Sequence, residues 1–410
     1  MRELSAINKM KQSNSTRTAS IPQNFQGFLE SDYASGSLLL LATLAAILLA
    51  NGPFSEPYHQ LLGHALTLHV GPLDVTETVR EWINATLMAV FFLTVGLEIK
   101  QELVLGSLSS MRRAALPVAA AIDGMLTPAG IFTLFNWGQP SIIGWAIPMA
   151  TDPAFAIAVP SALRSRIPIG LRAFLIAVAV VDDIGATIVI ALVYHQGFLL
   201  SPLLISLAIV LLLLINKARV QSLVPYLLLG FLLWAAFLES GIHTSVAAVI
   251  LALTIPVRSK DPGRDAPLNR LAHQLAPWVN FLILPLFALS NAGISFWEVS
   301  LSAAFQSAIT IGILLGLVVG KPIGIIAVSY LAVRLRAAHF PQGVRWRHVT
   351  GAGFLGGIGF TTSIFLAGLA FAGGTQFTQS KIGILTASLV AGWLGGLILW
   401  RDRNASARNP

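Results

Sequence analysis

Five ionisable residues stand deep inside apolar stretches of this chain: Asp123, Asp152, Asp182, Asp183 and Lys321, with Glu98 close to the end of another such stretch. Asp182 and Asp183 are adjacent, in AVVDDIGA, and they are the only charged residues between Arg172 and His195. At the centre of a membrane helix a carboxylate costs roughly 2.5–3.5 kcal/mol on insertion scales, so such residues need a compensating role. A buried ion pair pinning two helices together would account for Lys321 with one aspartate. It does not account for the set, because several acids against one lysine leave a surplus of negative charge that suits a cation.

On a helix, neighbouring residues point about 100° apart, so the carboxylates of Asp182 and Asp183 need not meet and can face different partners in one cavity. At a separation of about 7 Å and an effective dielectric near 20, their repulsion is roughly 2 kcal/mol. Protons and a hard cation compete for the same carboxylate oxygens. If a site of this kind opens alternately to the two sides of a membrane, coupled exchange follows.

The elements that hold these residues are apolar and long. The 410-residue chain is 55% hydrophobic and 11% charged, with a mean hydropathy of +0.76; a soluble domain carries about 25% charged residues. Windows of about 20 residues predict spans near 36–51, 82–99, 114–136, 142–161, 173–194, 200–215, 223–238, 241–256, 276–297, 302–333, 350–371 and 382–400. The expected fold is therefore an all-α polytopic membrane protein of about 12 helices. Met1 to Ser35 has no apolar run and reads as a cytosolic tail rather than a signal peptide, as does 401–410. No cysteine occurs, so disulfides and thiolate metal sites are excluded.

The formal charge of +8 follows membrane topology rather than a nucleic-acid partner. Lys and Arg fall in the tails and in every second loop (Lys100 with Arg112 and Arg113, Lys217 with Arg219, Arg334 with Arg336), while Glu56, Asp74, Glu77 and Glu298 occupy the loops between. This alternation is the positive-inside pattern. It puts both termini in the cytoplasm. Arg80 and Lys381 break the pattern at the edges of expected helices, where long side chains can snorkel; Lys321, inside LLGLVVGKPIGIIAV, is too deep for that.

Two spans should be interrupted. IPMATDPAFAIAVP surrounds Thr151 and Asp152 with Pro148, Pro153 and Pro160, and proline removes a backbone donor and disfavours helix in the residue before it. GAGFLGGIGFTTSIF places five glycines ahead of Thr361 and Thr362. Paired interruptions point to a transporter with inverted-topology repeats, here about 114–196 and 302–400, whose broken helices cross near the midplane. Asp152 and Lys321 would then offset the half-helix dipoles. LTLHVGPLDVTE alternates about Gly71-Pro72 and predicts a β-hairpin over about 65–77 on the outer side.

VVDDIGA, MATDPAFAIAV, FFLTVGLEIKQELVLGSL, LPLFALSNAG, VVGKPIGI and GGIGFTTSIFLAGLAF together resemble the NhaA family of Na+/H+ antiporters, over about Tyr33 to Trp400 within the 36–400 transmembrane region. The resemblance implies electrogenic exchange of cytoplasmic Na+ or Li+ for external H+ in a bacterial inner membrane, no resident cofactor, and a homodimer joined through the hairpin. It makes Asp183 the principal cation ligand and Asp182 its partner beside Lys321. Asp152 and Lys321 would balance the unwound helices, and Thr151 would lie beside the cation path. Glu98 and His243 are expected modulators, with Asp123, Thr361 and Thr362 as further ones.

Some positions depart from the family pattern. Pro153 follows the aspartate where an aliphatic residue is expected, Asp123 stands where glycine is expected, and Ala272 and Ala276 replace ionisable residues near His273. Asp123 is thus expected either to modify the cation site or to line a wet funnel. Three other readings compete. An intramembrane aspartyl protease needs two carboxylates sharing a proton, which Lys321 would disrupt. A light-driven pump would use Lys321 as a Schiff base, yet proline follows it and no aromatic box is evident. A Na+-coupled symporter of an organic solute would need a larger polar cavity than aspartates, threonines and one lysine provide.

Overall fold

A computed structural model describes residues 32–70, 73–163, 167–194, 202–259, 265–297 and 300–401. Most of the two expected tails, and the Gly71-Pro72 turn, lie outside the described residues. The first helix begins at Asp32, inside the segment expected to be tail.

The chain folds as a helical polytopic bundle. Its helices are α1 (Asp32–Asn51), α2 (Ser55–Gly63), α3 (Val79–Val104), α4 (Met111–Phe135), α5 (Pro153–Ala162), α6 (Ile169–Leu192), α7 (Pro202–Lys217), α8 (Val224–Ser240), α9 (Thr244–Thr254) and α10 (Pro267–Asn291). After a short helical turn, Leu301–Gln306, come α11 (Ala308–Arg334), α12 (Trp346–Gly356), α13 (Phe360–Phe371) and α14 (Gly374–Trp400). Among the described residues, eight helical segments are long and apolar enough to cross a membrane, and α12 with α13, bent by 41°, makes a ninth. The expected spans near 200–215, 223–238 and 241–256 coincide with α7, α8 and α9, which are apolar but shorter.

Strands β1 (Ala65–Val70) and β2 (Leu73–Thr78) pair antiparallel, with Ala65 opposite Thr78 and Val70 opposite Leu73. They form the expected hairpin, one residue longer than its pattern suggested. Thr78 then caps α3: its hydroxyl receives the N–H of Glu81, and the Glu81 carboxylate receives the N–H of Thr78, a reciprocal capping box.

Among the described residues, three helices carry a π turn, at Ile83–Leu87, Val279–Ile283 and Gly316–Gly320. The last two have a shared cause. Pro285 and Pro322 follow within two residues, and a proline cannot donate to the carbonyl four residues back, so the ladder widens by one residue just before it. Lys321 is the first residue beyond such a turn and is fully buried.

Glycines set how closely the helices approach. A Cβ on Gly324 of α11 would fall 2.4 Å from the carbonyl oxygen of Asp123 in α4, and one on Gly96 of α3 would fall 2.6 Å from Cβ of Ala252 in α9. Backbone-to-backbone contact of this kind is how membrane helices gain packing energy without a hydrophobic driving force. It also holds α11, and with it Lys321, hard against α4.

Lys381 does not snorkel. α14 starts at Gly374, eight residues before the expected span, so Lys381 lies inside the helix and is only 7% exposed. Its ammonium donates to the carbonyl of Gly293 and stands 5.0 Å from the Phe377 ring centroid. The last turn of α10 and the short stretch after it draw in other side chains too: Tyr58 donates to the Leu289 carbonyl at 2.7 Å, Arg80 to Ser290 at 3.2 Å and Asn51 to Ile294 at 2.7 Å. The carbonyls left open at a helix C-terminus are thus satisfied from four other elements.

Candidate ion-binding site

Both interrupted spans break where their sequences indicate. Residues Pro140–Met149 form a tight 3-10 helix that ends before Ala150, Thr151 and Asp152, and α5 starts at Pro153. The second span stops at Gly356 and resumes at Phe360. The two breaks touch, because the N–H of Asp152 donates to the carbonyl of Ile358 at 2.6 Å.

Asp152 stands at the starts of two half-helices. Its Oδ1 accepts from the N–H groups of Ala154 (3.0 Å) and Phe155 (3.4 Å) in α5, and its Oδ2 accepts from the N–H of Thr361 (3.0 Å) and from the Thr361 hydroxyl in α13. A negative charge there meets the positive ends of both half-helix dipoles. Lys321 does the opposite service at the end of the 3-10 segment, where its ammonium donates to the carbonyl of Met149. The Thr151 hydroxyl lies 2.8 Å from the carbonyl of Gly356, the last residue of α12.

Asp182 closes the cluster. Its Oδ2 forms an ion pair with Lys321 at 2.6 Å, both side chains fully buried, and lies 2.5 Å from the Thr151 hydroxyl. Its Oδ1 is buried without a hydrogen-bond partner among the described residues. Asp183, one residue on, shares none of these bonds. It is 2% exposed, and electrostatically it faces Glu98, Asp182 and Asp152 as like charges, with Lys321 the opposing one. The 100° step along the helix separates the pair as expected: one carboxylate is spoken for, the other is left among negative neighbours.

Two cavities flank the crossing. A smaller one, about 250 Å³, is lined by Ser35, Thr94, Glu98, Pro153, Ala154 and Asn280 among others, and so reaches the residues that follow Asp152. Glu98 is exposed in the wall of this cavity. A larger one, about 690 Å³, lies towards the hairpin, with Glu77, Arg80, Glu81, His243 and Phe365 in its wall. Neither is lined by Asp182 or Asp183. In the wall of the larger cavity, Phe365 is 3% exposed, and its ring stands 4.9 Å from His243, 5.3 Å from Phe92 and 6.3 Å from Phe287.

The structure thus brings together Asp152, Asp182, Asp183, Lys321, Thr151 and Thr361 of the expected set. Thr362 is fully buried one residue further along α13. Glu98 lies in the wall of the smaller cavity, and His243 caps α9, its ring accepting from the N–H of Ser245 at 3.3 Å. Asp123 is not brought in: it is half-buried on α4, lines neither cavity, and is absent from the charges acting on Asp183. Sequence reasoning missed Phe365 in the wall of the larger cavity and Met149 as the carbonyl that Lys321 serves; the helical spacing of Thr361 and Phe365 was the available sign of the first.

Known proteins match this chain over nearly its whole length. The family model described as Na+/H+ antiporter 1 matches residues 26–399. The chain belongs to the NhaA family of Na+/H+ antiporters. The Na(+)/H(+) antiporter NhaA of Shewanella frigidimarina is 45% identical over 374 residues, covering 90% of this chain and 94% of that protein. The NhaA of Tolumonas auensis is 46% identical over 383 residues, covering 92% and 94%. Among solved structures, the sodium proton antiporter MjNhaP1 from Methanocaldococcus jannaschii at pH 8 is similar in fold to this NhaA family member, with a TM-score of 0.51, 15% identity and 90% of each chain covered.

Proposed function

We propose that this chain exchanges cytoplasmic Na+ or Li+ for external H+ by alternating access across a bacterial inner membrane, with both termini on the cytoplasmic side. The observation that carries the reading is the unequal environment of two adjacent acids. Asp182 has Lys321 and Thr151, whereas the Asp183 carboxylate is buried among like charges without a hydrogen-bonded partner among the described residues. A monovalent cation relieves that repulsion, and so does a proton. The two ligands therefore compete for Asp183, and release of one follows arrival of the other.

The remaining parts support the same cycle. Asp152 and Lys321 hold the ends of the broken segments so that irregular backbone is tolerated at depth. The smaller cavity gives a water path from the Glu98 side. The larger cavity, with Phe365 in its wall, offers the opposite route once the helices shift. The succession of an unbroken, an interrupted and an unbroken span in 111–192 and again in 308–400 favours inverted repeats, which supply two mirror-related arrangements of the same contacts. The exchange is electrogenic, more protons entering than cations leaving, with Asp182 and Asp183 both carrying protons. The paired hairpin edge is the surface through which two copies join, within surrounding lipid.

The test uses inside-out vesicles acidified by respiration, from a host lacking its own sodium exporters, with a pH-sensitive dye. Addition of NaCl or LiCl should collapse the gradient for the wild type and leave it intact for Asp183→Asn. A chain that moves protons only when an organic solute is added would be a Na+-coupled symporter instead.

A further inference from the structure

The hydroxyl of Thr362 takes no part in the hydrogen bonds that hold the crossing. The residue is fully buried, and its Oγ1 has no hydrogen-bond partner among the described residues. A threonine inside a helix ordinarily satisfies its hydroxyl by donating to the carbonyl three or four residues back. That bond is not made here. Thr362 is the third residue of α13, so the carbonyl four back belongs to Ile358 in the unwound segment, where it already accepts the N–H of Asp152.

The neighbours of Thr362 on α13 are all engaged. Thr361 bonds to Asp152, Ser363 donates to the carbonyl of Ile147 at 2.8 Å, and the N–H of Phe360 donates to Ser388 at 3.2 Å. Residues three apart share a helix face, and Phe365, three residues on, packs against Phe92 of α3. α3 also carries Thr94 and Glu98 into the smaller cavity. Thr362 thus follows Thr361, which bonds Asp152, and shares the face of α13 that meets α3, the helix whose Glu98 acts on Asp183.

We infer that Thr362 is a further ligand of the transported cation, its hydroxyl oxygen coordinating Na+ or Li+ together with Asp183 and the unbonded Oδ1 of Asp182. A small hard cation takes several oxygen ligands, neutral as well as charged. A neutral oxygen adds to cation binding without adding to proton binding, because a hydroxyl does not titrate in this range. Thr362 therefore biases the competition at Asp183 towards the cation. This assignment rests on the antiport reading above.

The experiment measures half-maximal Na+ and Li+ concentrations for dye recovery in the same inside-out vesicles, for the wild type, Thr362→Val and Thr362→Ser. Valine keeps the shape and removes the oxygen; serine keeps the oxygen. The expected result is a roughly tenfold rise in the half-maximal concentrations for valine and near wild-type values for serine, with unchanged melting temperature of the purified proteins. If valine lowers the melting temperature below the assay range, Thr362→Ala replaces it with the same expectation. An unchanged half-maximal concentration in the variant lacking the hydroxyl would overturn the inference, and so would equal rises in valine and serine. A wild type that ignores Na+ and Li+ would overturn the antiport reading itself, whereas a responsive wild type beside an equally responsive valine variant would remove only the role of Thr362.

Discussion

Asp152 accepts both the backbone N–H and the hydroxyl of Thr361, 209 residues further along the chain, so the carboxylate that starts one half-helix also starts the other. The same side chain caps α5 through Ala154 and Phe155. Two interrupted helices are thereby joined through one buried group.

Loss of that group should be felt as lost stability before it is felt as lost chemistry. A helix cap is worth about 0.5–2 kcal/mol, and Asp152 supplies two. Asp152→Ala is expected to lower the melting temperature of the purified protein markedly. Asp152→Asn keeps one acceptor oxygen and should fall between alanine and the wild type. Tryptophan fluorescence during heating in detergent provides the comparison, and equal melting temperatures for alanine and wild type would show that the crossing is held elsewhere.

Lys321 and Asp182 illustrate the opposite rule, that breaking a buried ion pair is worse than never having one. Removing one partner leaves an uncompensated charge, typically at about 3–5 kcal/mol, whereas replacing both can be neutral. Lys321→Met should therefore be strongly destabilised, and adding Asp182→Asn should restore much of the loss. Both proteins should have impaired transport. Additive losses in the double variant would mean that the bond from Lys321 to the Met149 carbonyl, and not the ion pair, dominates.

Close packing of α11 on α4 positions the lysine. In Gly324→Ala the new methyl group would meet the Asp123 carbonyl oxygen, at 2.4 Å in the present geometry, and a backbone atom cannot swing aside as a side chain does. α11 must shift, and Lys321, one turn earlier, moves with it. Overpacking of this kind costs about 1–3 kcal/mol. The expected phenotype is an inserted protein with reduced cation-dependent proton release, read as a smaller dye response at equal protein level. A wild-type response would show that Lys321 tolerates displacement.

Much of this arrangement is legible in the sequence because the bilayer penalises charge and irregular backbone so heavily. Asp182, Asp183 and Lys321 are conspicuous for their surroundings, and the prolines about Asp152 and the glycines before Thr361 mark both breaks. What the sequence withholds is partnership. Composition and helical spacing alone do not say that Lys321 takes Asp182 rather than Asp183, a pairing that the family resemblance implies and that the rotation of α6 against α11 sets. Asp123 misleads for the same reason: its depth in the sequence resembles that of Asp152 and Asp182, yet it is half-buried on α4 and lines neither cavity. Lys381 misleads through a helix boundary, since an earlier start to α14 turns an expected edge residue into a buried one that serves the Gly293 carbonyl.

At the hairpin, outside the membrane helices, Glu77 should make stability depend on pH. Burial, followed by its hydrogen bond to the Glu81 carboxylate and the repulsion from that charge, pushes its carboxyl up to about 6 from an ordinary value of 4.5. The folded chain thus binds more protons than the unfolded chain between those two values, so this contribution is complete below about 4.5 and is lost as pH rises through about 6. The effect is modest, because Glu77 is half-buried and water screens its neighbours. Glu77→Gln carries no titrating proton and keeps a donor for Glu81. Hydrogen exchange of the backbone amides of Leu66, Leu68 and Val75, compared between variant and wild type at each pH from 4.5 to 7, isolates the contribution from the intrinsic exchange rate. Protection should match at the acidic end and favour the glutamine variant progressively above pH 6; identical profiles would mean that the Glu77 and Glu81 carboxyls do not share a proton.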